Sequence, residues 1–293
     1  MDWDNLKVAL AISRLGSLTQ AAHALGIDQS TAGRRLSALE ADLGTILFVR
    51  SKTGFAPTDA GEAAIAQALE VERRIDRLKE AVTPPEEGAV GVVRLLGNAW
   101  TMDRLAATVM APFLAANPRL DLRIVTLRTK ARPRGEATLS LWFEVEPREG
   151  EFAIKLGEVP YAVYCARGSD PARLGWIAFY DEDAMRPAIA RAHRRLQARD
   201  EPVRVASTDA AIMLSAVRAG AGKSLLPMCM AAGDAGLVRV GDGAPEFVRT
   251  LHLHAHPDTV ESRRVQATIR WLRESFKTVF QPPDAEPPAL GAA

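Results

Sequence analysis

The chain has 293 residues, of which 47% are hydrophobic and 25% charged, and its formal net charge is +1. This length and composition suit two domains with separate cores, and no run approaches the roughly eighteen apolar residues of a membrane-spanning helix. The N-terminal sequence MDWDNLK lacks the basic region and apolar run of a signal peptide, so we expect a soluble, cytoplasmic protein. Near-neutral charge means that any nucleic-acid surface must come from where the basic residues lie.

Residues 18–43 have the spacing of a helix-turn-helix. The small Ala21 and Ala22 allow a second helix to approach closely, and Gly26 can take the positive φ that ends the first helix. The second helix has an apolar stripe, which consists of Ala32, Leu36, Leu39 and Leu43. An ordinary solvated pair of helices is the alternative, because Ala-rich hairpins are common.

The other face of the second helix is polar. Side chains there could reach base edges and phosphates in the major groove, since glutamine can pair with adenine and arginine with guanine or phosphate. The predicted contacts are Gln29, Ser30, Thr31, Arg34 and Arg35. Gly33 within this helix costs about 1 kcal/mol relative to alanine, which indicates close packing or close approach of the groove wall.

The following segment predicts a wing. An apolar strand at 47–49 leads to a turn at 51–54 and a return at 55–57. Arg50 and Lys52 on this hairpin could contact phosphates or the adjacent minor groove.

The sequence from Gly16 to Arg50, with TDAGE after it, resembles the N-terminal signature of LysR-type transcriptional regulators. The matching positions are Gly16, Ser17, Ala21, Ala22, Leu25, Gln29, Ser30, Leu39, Glu40, Leu43, Gly44, Leu47, Phe48, Arg50, Thr58 and Gly61. The family often has serine at the position of Gly33 and an aromatic residue in the first helix where this chain has Val8 and Ala9. The resemblance implies double-stranded operator DNA as partner, contact with RNA polymerase, and tetramers built from two homodimers.

A long amphipathic helix is predicted over 59–83. Its seam consists of Ile65, Ala68, Val71, Ile75, Leu78 and Val82, surrounded by charged residues. This seam could pair with a second copy of the chain, as the corresponding helix does in the family. The alternative is a helix packed on its own domain.

Consecutive prolines make residues 84–89 a hinge, and an α/β domain follows over 90–280. Strands are expected at 90–96, 120–127, 138–143, 152–156, 161–166, 176–180, 203–206, 224–226, 237–240 and 248–255. Helices alternate with these strands. The first helix ends at 116, and the others are expected at 185–198, 209–219 and 262–280. Such alternation predicts parallel sheets covered on both faces. The Pro- and Ala-rich tail, 281–293, is expected to be disordered.

Ligands of such folds bind where strands end and helices begin. The expected effector contacts are Asn98, Trp100, Thr101, Thr126, Trp142, Ser207 and Thr208. For Ser207, Thr208 and Asp209 simple helix capping is the alternative, and a large tryptophan is more often core.

The second half also resembles the family's effector domain, which has two α/β subdomains hinged by crossing strands, as in periplasmic binding proteins. The matching stretches are VRAGAG at 217–222, SLLP at 224–227 and HPD at 256–258, while Lys223 replaces the usual apolar residue. The resemblance implies a small-molecule effector. The connection between 127 and 139 is short, which keeps open an effector-independent regulator acting through protein contacts.

Two further patterns bear on other functions. His252, His254 and His256 alternate along a strand and could bind zinc in a metal-dependent enzyme, but no acidic cluster accompanies them. Cys165 and Cys229 lack metal or redox spacing, so we expect buried thiols. We therefore expect neither catalysis nor a cofactor or metal.

The prediction is an N-terminal all-α winged helix-turn-helix (1–58) with a long linker helix (59–83), followed by a two-subdomain α/β effector domain like the periplasmic binding proteins (90–280).

Overall fold

The structure is a computed structural model that describes residues 2–51, 54–82, 88–126, 138–144, 152–180, 188–197, 201–241, 243–255 and 257–283. The chain forms two compact units, one before and one after residue 85. Each unit has its own hydrophobic core.

The N-terminal unit is helical with a two-stranded wing. Its elements are α1 (Trp3–Leu15), α2 (Leu18–Ala24), α3 (Gln29–Leu43), β1 (Phe48–Ser51), β2 (Gly54–Pro57) and α4 (Asp59–Val82). The core comes mainly from one face of α1, from Ala21 and Ala22 of α2, and from Ala32, Leu36 and Leu39 of α3. Leu43, the last residue of the predicted stripe, is exposed, because α3 ends there and extends beyond the core. The helix-turn-helix and the wing thus form where the sequence predicts them.

Short-range capping sets the helix boundaries. The carboxylate of Asp2 accepts the N–H of Asp4, and the hydroxyl of Ser17 accepts the N–H of Gln20. Gly16 ends α1 at φ 68°, a left-handed conformation that glycine adopts without strain. Asp28 is the N-cap of α3, although its side chain makes no capping bond.

One glycine of the TDAGE segment is required by a close approach of backbone. A Cβ on Gly61 would lie far inside contact distance of the Leu47 carbonyl oxygen. The hydroxyl of Thr58 donates to the Ile46 carbonyl at 2.8 Å and accepts the N–H of Gly61 at 3.0 Å. These contacts fix the start of α4 against the segment that enters the wing.

The C-terminal unit is α/β. Its elements are β3 (Val90–Gly97), α5 (Ala99–Thr108), α6 (Met110–Ala116), β4 (Arg119–Thr126), β5 (Thr138–Phe143), β6 (Phe152–Ala166), β7 (Trp176–Phe179), α7 (Ala188–Leu196), β8 (Val203–Ser207), α8 (Ala210–Arg218), β9 (Ser224–Pro227), α9 (Met228–Ala231), β10 (Leu237–Val240), β11 (Phe247–Ala255), α10 (Pro257–Val260) and α11 (Arg263–Phe280).

The main sheet is mixed, which corrects the prediction of parallel sheets. Its order is β10-β6-β11-β5-β3-β4, and β9 pairs with β6. β3 pairs in parallel with β4 and β5, as β7 does with β8, but the partners of β6 and β11 are antiparallel. The long strands β6 and β11 run back through the sheet, and such return strands pair antiparallel with those they meet.

The strands expected at 152–156 and 161–166 are one strand, β6. Gly157 and Pro160, which lie between the two expected ranges, are both within β6. Gly157 is needed because a Cβ there would overlap the ring of Phe276. Pro160 lies within the ladder formed by β6 and β11, opposite Val248.

The C-terminal unit contains two apolar clusters, around which we name a larger and a smaller subdomain, and β7, β9 and α9 contribute residues to both. The larger packs α5, α6 and α11 on β3, β5 and β11, with Trp100, Leu139 and Phe276 among its members. The smaller lies around β7, β9, α8 and α9 and includes Ile177 and Val217. Strand β6 contributes to both, since Tyr161 belongs to the larger cluster and Tyr164 to the smaller.

The predicted hinge and tail are only partly visible. Residues 83–87 and 284–293 lie outside the described residues. Within the predicted hinge, Ala89 is buried and its N–H donates to Asn117 at 2.8 Å, so it belongs to the core of the C-terminal unit. Gln281, the first residue of the predicted tail, donates from its amide to the Glu158 carbonyl at 2.6 Å. No helix in the described part of the chain is long and apolar enough to cross a membrane.

Candidate DNA-binding surface and effector site

The start of α3 presents the polar side chains that the sequence predicts as DNA contacts. Gln29, Ser30 and Arg34 are exposed, whereas Thr31 is half-buried. The opposite side of the helix is anchored by Ala32, Leu36 and Leu39, which are in the core. Arg34 makes no ion pair with another described residue. Its guanidinium is therefore available to an anionic partner.

Arg35 is more constrained than Arg34. Its guanidinium lies 3.6 Å from the carboxylate of Asp4 on α1, and one third of the side chain is exposed. A hydrogen bond and the charge of Lys7, together with the charge of Arg35, hold the pKa of Asp4 below its usual value. Asp4 is thus ionised at neutral pH, and a DNA phosphate would have to compete with it for Arg35.

The wing is held from α3 by Glu40, a role that was not predicted from the sequence. One carboxylate oxygen of Glu40 accepts the N–H groups of Leu47 and Phe48, at 2.8 and 3.3 Å. At the other end, the N–H of Phe55 donates to the Gly16 carbonyl at 2.9 Å. Arg50 lies in β1, but its side chain and all of Lys52 are outside the described residues.

The predicted dimerisation seam of α4 divides into two parts. Ala68 is buried in the unit's own core, where Ile65 also packs, while Val71, Leu78 and Val82 are exposed by 38%, 64% and 74%. Ile75 is half-buried. The first half of the stripe therefore packs within the unit, and the second half exposes apolar surface. Arg14 of α1 pairs with Glu72 at 2.5 Å and fixes α4 at the junction.

Three of the seven expected effector contacts are buried. Trp100 stacks on Phe143, with ring centroids 5.7 Å apart, and meets Phe280 edge-on. The Thr101 hydroxyl donates to the Asn98 carbonyl at 2.7 Å. Trp142 on β5 is 5% exposed. In this structure Trp100 and Thr101 are engaged in packing and capping.

The other four expected effector contacts lie at strand ends and are half-buried or exposed. Asn98 is the N-cap of α5 and makes no side-chain capping bond, and Thr126 is exposed at the end of β4. At the end of β8 the Ser207 hydroxyl accepts the N–H of Asp209 at 3.1 Å, beside the exposed Thr208. Asp209 in turn accepts the N–H of Ala211 at 2.7 Å, which is helix capping.

Lys223 has a partner that was not predicted. Its ammonium is buried and lies 2.6 Å from the Glu201 carboxylate, 3.2 Å from the Pro171 carbonyl and 5.0 Å from the centre of the Trp176 ring. The indole N–H of Trp176 also donates to Glu201. The edge of His193 packs on the same ring, 4.6 Å between centroids. Lysine replaces an apolar residue here because Glu201 compensates its buried charge.

Arg249 is a half-buried cation whose contacts were not predicted. Its guanidinium donates to Glu144 at 3.0 and 2.8 Å and lies 4.3 Å above the Phe143 ring. Burial raises the pKa of the neighbouring Tyr161 to about 12, although the charge of Arg249 opposes the shift. Glu144 has φ 49°, and its pairing with Arg249 helps to hold this strained backbone.

Both cysteines and two of the three alternating histidines lie within the described residues. Cys165 and Cys229 are free and buried, as predicted, and burial raises the pKa of both thiols, to about 11 for Cys229. His252 and His254 share one face of β11, with ring centroids 6.3 Å apart, while His256 lies outside the described residues. Across the described ranges, no three His, Cys, Asp or Glu side chains converge as metal ligands.

Two family models match the chain. Residues 3–62 match the bacterial regulatory helix-turn-helix protein of the lysR family, and residues 86–277 match the LysR substrate binding domain. Together these matches cover the helix-turn-helix, the wing and nearly all of the α/β unit.

Curated relatives match the chain over part of their length. The Mau operon transcriptional activator of Paracoccus denitrificans is 31% identical over 62% of this chain and 64% of its own. The transcriptional activator AmpR of Rhodobacter capsulatus is 34% identical over 56% of each. The chain thus spans less than two thirds of either relative.

A solved structure supports the fold over the whole chain. A full-length OxyR variant from Pseudomonas aeruginosa superposes with a TM-score of 0.65 at 17% identity and covers 98% of this chain and 99% of its own. At that identity the likeness concerns the fold alone.

Proposed function

Because the chain belongs to the lysR family of bacterial regulatory proteins, we propose that it is a sequence-specific, DNA-binding regulator of transcription. The observation that carries this proposal is the exposed polar start of α3 on a helix whose opposite side is fixed in a core. A rigid recognition helix of this kind loses little conformational freedom when it enters the major groove.

In the proposed complex, Gln29, Ser30 and Arg34 meet base edges and nearby phosphates. Arg50 and Lys52 on the wing contact the backbone and fix the position of the helix without reading sequence. Arg35 binds phosphate only by leaving Asp4, from which its guanidinium is 3.6 Å away. We therefore expect Arg34 to contribute more to affinity than Arg35.

Replacement of Arg34 by alanine tests this interface. Loss of a charge-assisted contact to guanine or phosphate should weaken operator binding by about 1–3 kcal/mol, which is roughly 5- to 150-fold. The measurement is fluorescence anisotropy with a labelled operator at fixed salt. Lys7→Ala is the matched control, because Lys7 is a surface cation of the same unit that lies outside α3. Equal affinities for Arg34→Ala and the wild type would remove Arg34 from the interface.

The exposed half of α4 supports a dimer. Two copies paired through Val71, Leu78 and Val82 would bury apolar surface that one chain leaves in water. Leu78→Glu should therefore lower the solution mass to that of a monomer in sedimentation experiments. The control is Ala66→Glu, which adds the same charge to an exposed position on the face of α4 opposite Val71, Leu78 and Val82 and should leave the mass unchanged. An unchanged mass for Leu78→Glu would contradict the dimer seam.

We further propose that the α/β unit responds to a small-molecule effector. Binding between the two subdomains would favour one relative arrangement, change the spacing of the DNA-binding units and so alter DNA bending. As part of the same proposal, the protein acts in the cytoplasm, contacts RNA polymerase and assembles from two dimers into a tetramer. The relatives' description as transcriptional activators agrees with this class of function.

A further inference from the structure

An open cleft of about 1140 Å³ lies in the C-terminal unit, away from the expected effector contacts. None of Asn98, Thr101, Thr126, Ser207 or Thr208 lines it. Its lining residues are Arg104, Arg218, Cys229, Met230, Gly233, Asp234, Ala235, Lys277, Thr278, Gln281, Pro282 and Pro283. The cleft is large enough for a small metabolite.

Positive charge dominates this cleft. Among the described lining residues three are cationic, Arg104, Arg218 and Lys277, and one is acidic, Asp234. Burial would raise the pKa of Asp234, but hydrogen bonds from Arg218 and from the Gly236 N–H, with the charge of Arg218, lower it overall. Asp234 is therefore ionised and is already bound to Arg218.

Two of the cations are held in place before any ligand arrives. Arg104 donates from Nε and Nη2 to the Val279 carbonyl, at 3.2 and 3.0 Å, and thereby caps the end of α11. The Nε of Arg218 donates to Asp234. Lys277, one turn before the end of α11, makes no ion pair with any described residue. Two guanidinium groups already held by the protein, with an exposed lysine in the same cleft, are suited to an anion, because the guanidinium groups need little ordering on binding.

The cations come from both subdomains. Arg104 on α5 and Lys277 on α11 belong to helices of the larger core, whereas Arg218 ends α8 of the smaller core. An anion that met all three would connect the two subdomains. Met230 and the Cys229 side of the cleft add apolar surface for a carbon skeleton.

We propose that this cleft binds a small organic anion with two or more acidic groups, such as a di- or tricarboxylate or a phosphorylated metabolite, and that the anion links the subdomains. The site is separate from the DNA-binding surface, so its existence does not depend on the regulator function proposed above.

Isothermal titration calorimetry of the full chain with citrate and with inorganic phosphate tests the proposal, at ionic strength held constant with sodium chloride. Citrate should bind saturably, once per chain. Lys277→Glu should weaken that binding at least about tenfold, because an attraction becomes a repulsion. Lys277→Gln removes only the charge and should weaken citrate binding less. It also provides the test if Lys277→Glu does not fold.

Arg270→Glu is the matched control, since Arg270 is exposed on the same helix but does not line the cleft. It should bind citrate like the wild type. Saturable phosphate binding without citrate binding would assign the site to phosphorylated ligands. Absence of saturable binding by either anion, or equal binding by the wild type and both Lys277 variants, would overturn the proposal. Operator binding is measured on the same preparations, so that loss of anion binding can be distinguished from failure of the proposed DNA-binding function.

Discussion

The polar start of α3 in the N-terminal unit and two cations of the C-terminal unit, Lys223 and Arg249, differ in exposure and in their partners. In the N-terminal unit the polar residues at the start of α3 are exposed, while backbone contacts and Glu40 hold the recognition helix and the wing in place. In the C-terminal unit the buried Lys223 and the half-buried Arg249 are bonded to carboxylates of the same chain. The exposed start of α3 is therefore a candidate binding surface, whereas Lys223 and Arg249 make structural contacts, as Glu40 and Arg14 do in the first unit.

The largest effect should come from a change to the scaffold of the first unit. Gly61→Ala places a Cβ against the Leu47 carbonyl oxygen, and relief requires movement of backbone. We expect a loss of about 3 kcal/mol in the free energy of unfolding of this unit, as for severe overpacking. Denaturant unfolding followed by circular dichroism measures it. Gly26→Ala, at φ 66° with nothing near its Cβ, separates backbone strain from collision and should cost less. Equal stability of Gly61→Ala and the wild type would show that α4 can shift.

The next effect concerns the buried charges of the second unit. Lys223→Ala leaves Glu201 without its cation, which should cost about 2 kcal/mol, less than a fully buried pair because Glu201 is partly exposed. The comparison variant is Lys155→Ala, whose surface pair with Glu158 should contribute less than about 1 kcal/mol. Thermal unfolding of both variants compares a buried with an exposed pair in one unit. Similar losses would mean that Lys223 is not a structural residue.

A stabilising substitution at Gly33 tests whether DNA binding explains the glycine in α3. A Cβ on Gly33 would meet only Leu18, at 3.7 Å, so packing does not require glycine. Gly33→Ala should raise the stability of the N-terminal unit by about 1 kcal/mol. If close approach of the groove wall explains the glycine, operator affinity should fall in the same variant. Higher stability with unchanged affinity would leave the glycine without a role in DNA binding.

The smallest effect depends on pH. Burial lowers the pKa of His193 below its ordinary 6.5, although the charge of Glu201 opposes the shift. The unfolded chain therefore binds the proton more tightly, and stability is lost as pH falls from about 6.5 through the lowered folded pKa. Unfolding of the wild type and His193→Phe between about pH 7.5 and 5 should show a shallower decline for the variant. Parallel declines would exclude His193 as a source of acid sensitivity.

The features predicted correctly from the sequence are those determined by residues that are close together in the chain. Capping at Ser17 and the left-handed Gly16 depend on neighbouring residues, and the helix-turn-helix was predicted with its bounds nearly correct. β6 was divided in two because the reasons for Gly157 and Pro160 lie on other elements.

Long-range pairs were missed for the same reason. Glu201 lies 22 residues before Lys223, and nothing in the local sequence identifies it as the partner of that lysine. Arg104, Arg218 and Lys277 come together only after the two subdomains have folded. Burial of Trp100 likewise depends on Phe143 and Phe280, which are distant in sequence.

A nuclease footprint on the DNA upstream of the protein's own gene tests the central claim most directly. The purified full chain is used at physiological salt with nonspecific competitor DNA, so that only sequence-specific binding remains. DNA binding by an oligomer that bends its site predicts extended, roughly symmetric protection with a hypersensitive centre, and Arg34→Ala should lose it at the same protein concentration. Absence of protection there, followed by failure to recover any preferred sequence from genome-wide selection, would contradict the proposed function.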